Sequence, residues 1–146
     1  MYVITSKHQA KDHPKIKIAD STLPLNRSPK ILGVHLDTSL SFNVHCSQVA
    51  ARISKWNNVL KALSGTGCGQ QKETQLMTYK AIGRSIANYA VPVWSTIASD
   101  ISIQRIQYAQ NEALRIATGS HKMASIDHIH SEAAMLKVKE HSSPSL

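Results

Sequence analysis

The sequence predicts an α+β chain, with a short N-terminal antiparallel β-hairpin region followed by a bundle of three to four α-helices. Three observations predict it. Apolar residues alternate with period two in Lys15-Ile16-Lys17-Ile18, the pattern of a half-buried strand. From Ser41 the apolar repeat lengthens to about 3.5 residues, which is helical. Turn-forming residues, Asp20-Ser21 and Asn26-Arg27-Ser28-Pro29, separate the extended runs.

The elements follow in order. Tyr2-Val3-Ile4-Thr5 is β-branched and aromatic, as strands are. The polar stretch from Lys7 to Pro14 is a loop. Lys15 to Ile18 and Thr22 to Leu25 pair across the Asp20-Ser21 turn. Lys30 to Asp37 reads as the best strand, with Leu32, Val34 and Leu36 on one face. Gly33 interrupts it and marks a bulge or the close approach of another backbone. Phe42, Cys46, Val49, Ile53, Trp56, Leu60 and Leu63 then put one apolar face on a first helix, which Gly65 caps. A second helix from about Gln71 presents Tyr79, Ile82, Ile86, Tyr89 and Val93, supported by Leu76, until Pro92 kinks or ends it. A third starts at Ser99 or Asp100, buries Ile103, Ile106, Ala113 and Ala117, and stops at Gly119. A fourth runs from Ser125 to about Lys137, and the helices pack antiparallel. Residues 1–37 thus form a β-rich segment, 38–137 a helical bundle and 138–146 a fraying tail.

Composition narrows the function classes. Hydrophobic residues at 42% and charged ones at 18% of 146 residues are the balance of a folded domain, not a disordered chain. Apolar runs are too short to span a bilayer, and the first residues have no signal-peptide pattern, so an intracellular chain, nuclear or cytoplasmic, is expected. Two cysteines, Cys46 and Cys68, do not make a disulfide framework. The net charge of +8 is unevenly placed. Residues 38–99 hold six Lys/Arg against Glu73 alone, whereas residues 100–146 balance five against five. Such a field concentrates polyanions, of which nucleic acid is the commonest inside a cell.

Catalytic patterns are absent. Gly65-Thr66-Gly67-Cys68-Gly69 follows a helix and ends in Gln70-Gln71-Lys72, unlike a phosphate loop, and reads as a helix connection. The eight histidines lack zinc-ligand spacing. His128 and His130 are two apart on a helix and point to different sides, and the histidines read as scattered surface residues. Asp12, Asp20 and Asp37 suit turns, while Asp100 and Asp127 suit helix starts. No catalytic residue, metal site or small-molecule substrate is expected. The cations are more suggestive. Gln48, Arg52 and Lys55 run beside the apolar seam of the first helix, and Lys80, Arg84 and Asn88 do so on the second. Two such stripes flanking one core make a groove lined with phosphate-binding donors.

The order of segments resembles a known family. Lys30-Ile31-Leu32-Gly33-Val34-His35-Leu36-Asp37-Thr38-Ser39-Leu40-Ser41-Phe42 is similar to the K-x-L-G-V-x-L-D-x-x-L-x-F run of reverse transcriptases (RNA-directed DNA polymerases) from LINE-type, non-LTR retrotransposons of the jockey and CR1-like kind. Asn58-Val59-Leu60-Lys61-Ala62-Leu63-Ser64-Gly65, Asn88-Tyr89-Ala90-Val91-Pro92-Val93-Trp94-Ser95 and Ala113-Leu114-Arg115-Ile116-Ala117-Thr118-Gly119 continue the resemblance, which covers roughly residues 15–135. It implies a palm-edge or primer-grip segment followed by thumb helices. Leu32 and Gly33 would then lie near a primer end, and Arg52, Lys55, Lys80 and Arg84 would hold the backbone of a template–primer duplex. The Tyr-Ala-Asp-Asp-like motif that binds magnesium in the full-length enzymes is missing. The resemblance therefore implies a fragment that is inactive alone and whose further partners would be the missing palm and fingers. A non-catalytic helical interaction module, or a non-functional relic of a retroelement, is the alternative.

Overall fold

The computed structural model describes residues 17–22, 24, 26–65, 71–138 and 140. Within them two short antiparallel hairpins precede a set of helices, so the chain is α+β and dominated by helix. The strand expected at residues 2–5, the loop before residue 15 and the glycine cluster after Gly65 lie outside the described residues.

β1 (Lys17–Ile18) pairs with β2 (Ser21–Thr22), turning on Ala19 and Asp20, one residue earlier than expected. The next segment corrects the expectation of one continuous strand at residues 30–37. It is a second hairpin, β3 (Lys30–Ile31) with β4 (Val34–His35), in register Ile31↔Val34. Leu32 and Gly33 form its two-residue turn with φ +46° and +82°, the positive pair that matches the twist of the flanking strands. Gly33 takes its angle freely; Leu32 does so under strain. The turn also splits the expected apolar face, leaving Leu32 88% exposed and Val34 7%.

Asp37 organises the entry to the helices, its carboxylate accepting from the Ser41 N–H at 2.6 Å. α1 (Asn43–Gly65) follows and buries Cys46, Val49, Ile53 and Leu60 as its spacing predicts. It runs through Gly65, which is a helical residue rather than a left-handed cap. α2 (Lys72–Thr78), a π-helical turn (Tyr79–Gly83) and α3 (Arg84–Asn88) form one rod. The rod's buried positions are Gln75, Tyr79, Gly83 and Ala87, not the predicted Ile82, Tyr89 and Val93, which are exposed. Residues spaced by four drift ~40° per step around an α-helix of 3.6 residues per turn. The wider π turn, closed by the Arg84 N–H on the Tyr79 carbonyl, keeps them inward. Tyr89 and Ala90 break the rod, with Ala90 left-handed, and Pro92 then opens the single turn α4 (Val91–Trp94).

α5 (Asp100–Thr118) is legible at both ends. The Ser99 hydroxyl accepts from the Ser102 N–H, and left-handed Gly119 closes the helix, with the Ser120 N–H on the Arg115 carbonyl. α6 (Ile126–Ala133) is capped by Ser125. The helices do not all run antiparallel. Ser102 meets Asn43, Arg105 meets Ser47, and Glu112 meets Lys61, so α1 and α5 are parallel neighbours. The rod returns between them in sequence, antiparallel to α1. One core joins Val34 of the hairpin to Ile53, Trp94, Ile106 and Val138; a second gathers Leu60, Tyr79, Leu114 and Ile129. Val138, at the start of the expected tail, is buried and donates its N–H to Gln107 at 2.7 Å.

Candidate nucleic-acid interface

The helical face predicted from the sequence continues into chemistry. Three residues after Phe42 comes His45, buried on the core side of α1 with its ring 5.9 Å from that of Trp94. The His35 N–H donates to its Nδ1 at 3.4 Å, which leaves the proton of the neutral ring on Nε2. Burial, then the charges of His35 and Arg52, push the pKa of His45 down. His130 is buried too, its Nε2 2.8 Å from the Asn111 Oδ1, so two histidines expected at the surface are packed inside. His128, two residues away, is exposed, as the helical spacing requires.

Arg52 and Lys55 lie exposed on α1 and share a shallow groove of about 240 Å³ with Gln48 and Ala51. Arg52 also lines an adjoining groove of about 200 Å³ with His45, Val49, Ser85, Ile86 and Tyr89. Tyr89 joins that groove to the second hairpin. Its hydroxyl donates to the Leu32 carbonyl at 2.7 Å, and Gly33 passes against its ring, where an added Cβ would stand 3.0 Å from the Tyr89 Cε1. Four of the six residues predicted to contact nucleic acid, Leu32, Gly33, Arg52 and Lys55, therefore gather around Tyr89 and α1. Lys80 and Arg84 are half-buried on the neighbouring rod and line neither groove. Arg84 stands close enough to Tyr79 for its charge to oppose the rise that burial gives that phenol.

Sequence reasoning placed Tyr89 in the core and passed over His45 and Ser85. The signal for His45 was present, since it falls on the same helical face as Phe42 and Val49. Nothing local to residues 33 and 89 announces their contact.

No helix among the described residues is long and apolar enough to cross a membrane. Among the same residues no three His, Cys, Asp or Glu side chains stand close enough to hold a metal ion.

The chain is 30% identical over 110 residues to a protein of Drosophila melanogaster described as "Probable RNA-directed DNA polymerase from transposon X-element". That similarity relates the chain to a transposon reverse transcriptase. The match covers 73% of this chain and 12% of the fly protein, so the chain corresponds to a small part of its relative. No protein-family model and no solved structure matches it.

Proposed function

We propose that this chain is the primer-grip and thumb part of a retrotransposon reverse transcriptase of the non-LTR, jockey-like kind, and that it holds a template–primer duplex by its backbone. The observation that carries the proposal is the convergence of the Leu32–Gly33 turn, Tyr89, and the Arg52 and Lys55 cations on one groove system. The surrounding stretch, residues 38–99, holds one acid against six Lys/Arg. Phosphates dock on such cations without sequence preference, while the narrow turn brings a backbone close to the strand end. The chemistry of nucleotide transfer is assigned to the remainder of a longer polypeptide, which supplies the magnesium-binding aspartates.

Binding to an RNA–DNA duplex, titrated against salt, tests this. With about four to six phosphates contacted, log affinity falls with log salt at a slope of roughly −4 to −5. R52E/K55E lowers the slope's magnitude by about 2. Duplex binding that ignores salt, or is unchanged in R52E/K55E, overturns the proposal. A second reading has its own observation: Ile82, Tyr89, Val93 and Ile97 are exposed on the rod and its extension, as expected of a module that docks on protein. Concentration-dependent self-association with indifference to nucleic acid favours it.

A further inference from the structure

A separate cavity lies away from the groove system. Lys61 sits nine residues beyond Arg52 on α1, ~180° around the helix, and faces α5 instead of α3. Because α1 and α5 run parallel, their C-terminal ends meet at one end of the molecule. Between them opens a pocket of about 420 Å³ lined by Lys61, Ser64, Glu112, Arg115, Ile116 and Lys122, among others.

The electrostatics of this pocket are legible group by group. Glu112 is occupied by Lys61 at 2.6 Å and by Asn57. Glu132, which Ser120 of the rim reaches, is occupied by Lys72. Arg115 and Lys122 have no ion pair among the described residues; Arg115 is held by the Ala124 carbonyl at 3.4 Å. Two cations thus remain without a contact ion pair, Lys122 acting on the Glu112 charge only through space. Helix C-termini ordinarily repel anions, because their last carbonyls carry partial negative charge. At the end of α5 two of those carbonyls are already satisfied, Arg115 by the Ser120 N–H and Ile116 by the Gly119 N–H. The cavity is far larger than one phosphate needs and falls in the size range of small-molecule sites. Ile116 gives it an apolar wall.

From this arrangement we infer that the pocket between the ends of α1 and α5 is a second binding site, for an organic phosphate of mononucleotide size. Its phosphate lies at Arg115 and Lys122, and its sugar or base packs on Ile116. Such a group comes from a free nucleotide or from the phosphorylated end of a single strand. The site stands apart from the proposed duplex groove, on another side of α1.

Titration of the full chain with adenosine 5′-monophosphate, followed by amide chemical shifts, tests it. Shifts should cluster at Lys61, Ser64, Ile116, Gly119 and Lys122. Lys122 is exposed, so K122E leaves the fold intact and should weaken binding about tenfold, the effect of losing one charged hydrogen bond. R115Q should do the same, and R52E/K55E should leave this binding unchanged even where it abolishes duplex binding. Single strands with a 5′-phosphate or a 5′-hydroxyl identify the source. Preference for the phosphorylated strand over the nucleotide points to a strand end; no gain over the nucleotide points to free nucleotide; either supports the site. No binding to the wild-type chain, equal affinity in K122E, inorganic phosphate binding as tightly as the nucleotide, or shifts confined to the Arg52 groove would each overturn it.

Discussion

Replacing Gly83 by alanine tests the reasoning about the rod most severely, because two effects of known sign oppose each other. Alanine is the better helix former, and at an unconstrained helical position the change gains about 0.5–1 kcal/mol. Gly83, however, is buried beneath the Tyr79 ring, and an added Cβ would lie 2.2 Å from the Tyr79 Cε2 and 2.4 Å from its Cδ2. Carbon atoms pack at about 3.5–4.0 Å, so the nearest contact is short by about 1.3 Å. The Cβ is fixed to the backbone and Tyr79 is fully buried, which leaves helix or ring to move within a packed core. Overpacking of this kind costs about 1–3 kcal/mol and outweighs the helical gain. The expected net loss is about 1–2 kcal/mol, a fall in Tm of roughly 2–8 °C for a chain of this size. Thermal unfolding by circular dichroism reads it. Gly65→Ala is the control, because nothing stands within 4 Å of a Cβ there, and its Tm should hold or rise slightly. In Tyr79→Leu the Gly83→Ala penalty should shrink, a coupling that a double-mutant cycle measures. A Gly83→Ala protein as stable as the parent would refute the account of how the π turn seats Tyr79.

Other expectations follow the same physics. Gly33→Ala forces alanine to φ +82° and presses its Cβ on Tyr89, so a loss of about 1–2 kcal/mol is expected from the left-handed backbone; urea unfolding measures it, and an unchanged midpoint would remove the turn assignment. The folded pKa of His45 lies below its ordinary value of 6.5, so the unfolded chain takes up the proton more readily. Stability from this residue is complete above pH 6.5 and is lost as pH falls through the folded pKa. His45→Gln should flatten the fall in Tm on that step, while the carboxylates Glu112 and Glu132, held below their ordinary range by hydrogen bonds from Lys61 and Lys72, act only at lower pH. A wild-type Tm that does not change below neutrality would refute this. Burial pushes the Cys46 thiol up to about 11. In a Cys68→Ser background, a thiol reagent at neutral pH should therefore react only at the rate of unfolding, and rapid modification of the folded protein would contradict the packing of α1.

Much of the helical fold was legible because its signals are local. Ser99 and Gly119 bracket α5 through their own caps, and the Phe42-to-Leu60 spacing marks the buried face of α1. The errors came where geometry departs from the ordinary period. The Leu32-Gly33 pair turned a presumed strand into a hairpin, because Gly33 takes its positive φ freely and Leu32 takes one under strain, an option that alternation of apolar residues does not reveal. The π turn moved the inward face of the rod away from Ile82, while the break at Tyr89 and Ala90 freed Tyr89 for the groove and put Val93 on a separate turn. Of the groove, Arg52 and Lys55 were readable from charge and spacing. The convergence of Leu32, Gly33 and Tyr89 depends on pairing residues 57 apart, which no short window of sequence encodes.

The Tyr89–Leu32 clasp has a mechanical corollary. The arm formed by β3 and β4 is held to the helices by buried Val34 and by the His35 N–H on His45, and the Tyr89 hydroxyl adds a tie at its turn. Tyr89 in turn occupies the corner where the rod breaks, and its carbonyl receives the Trp94 indole N–H at 2.9 Å. Arm and corner therefore share one phenol. Anything that displaces the Tyr89 ring loosens the arm, and by the reciprocity of linked equilibria, anything that pins the arm stiffens the corner.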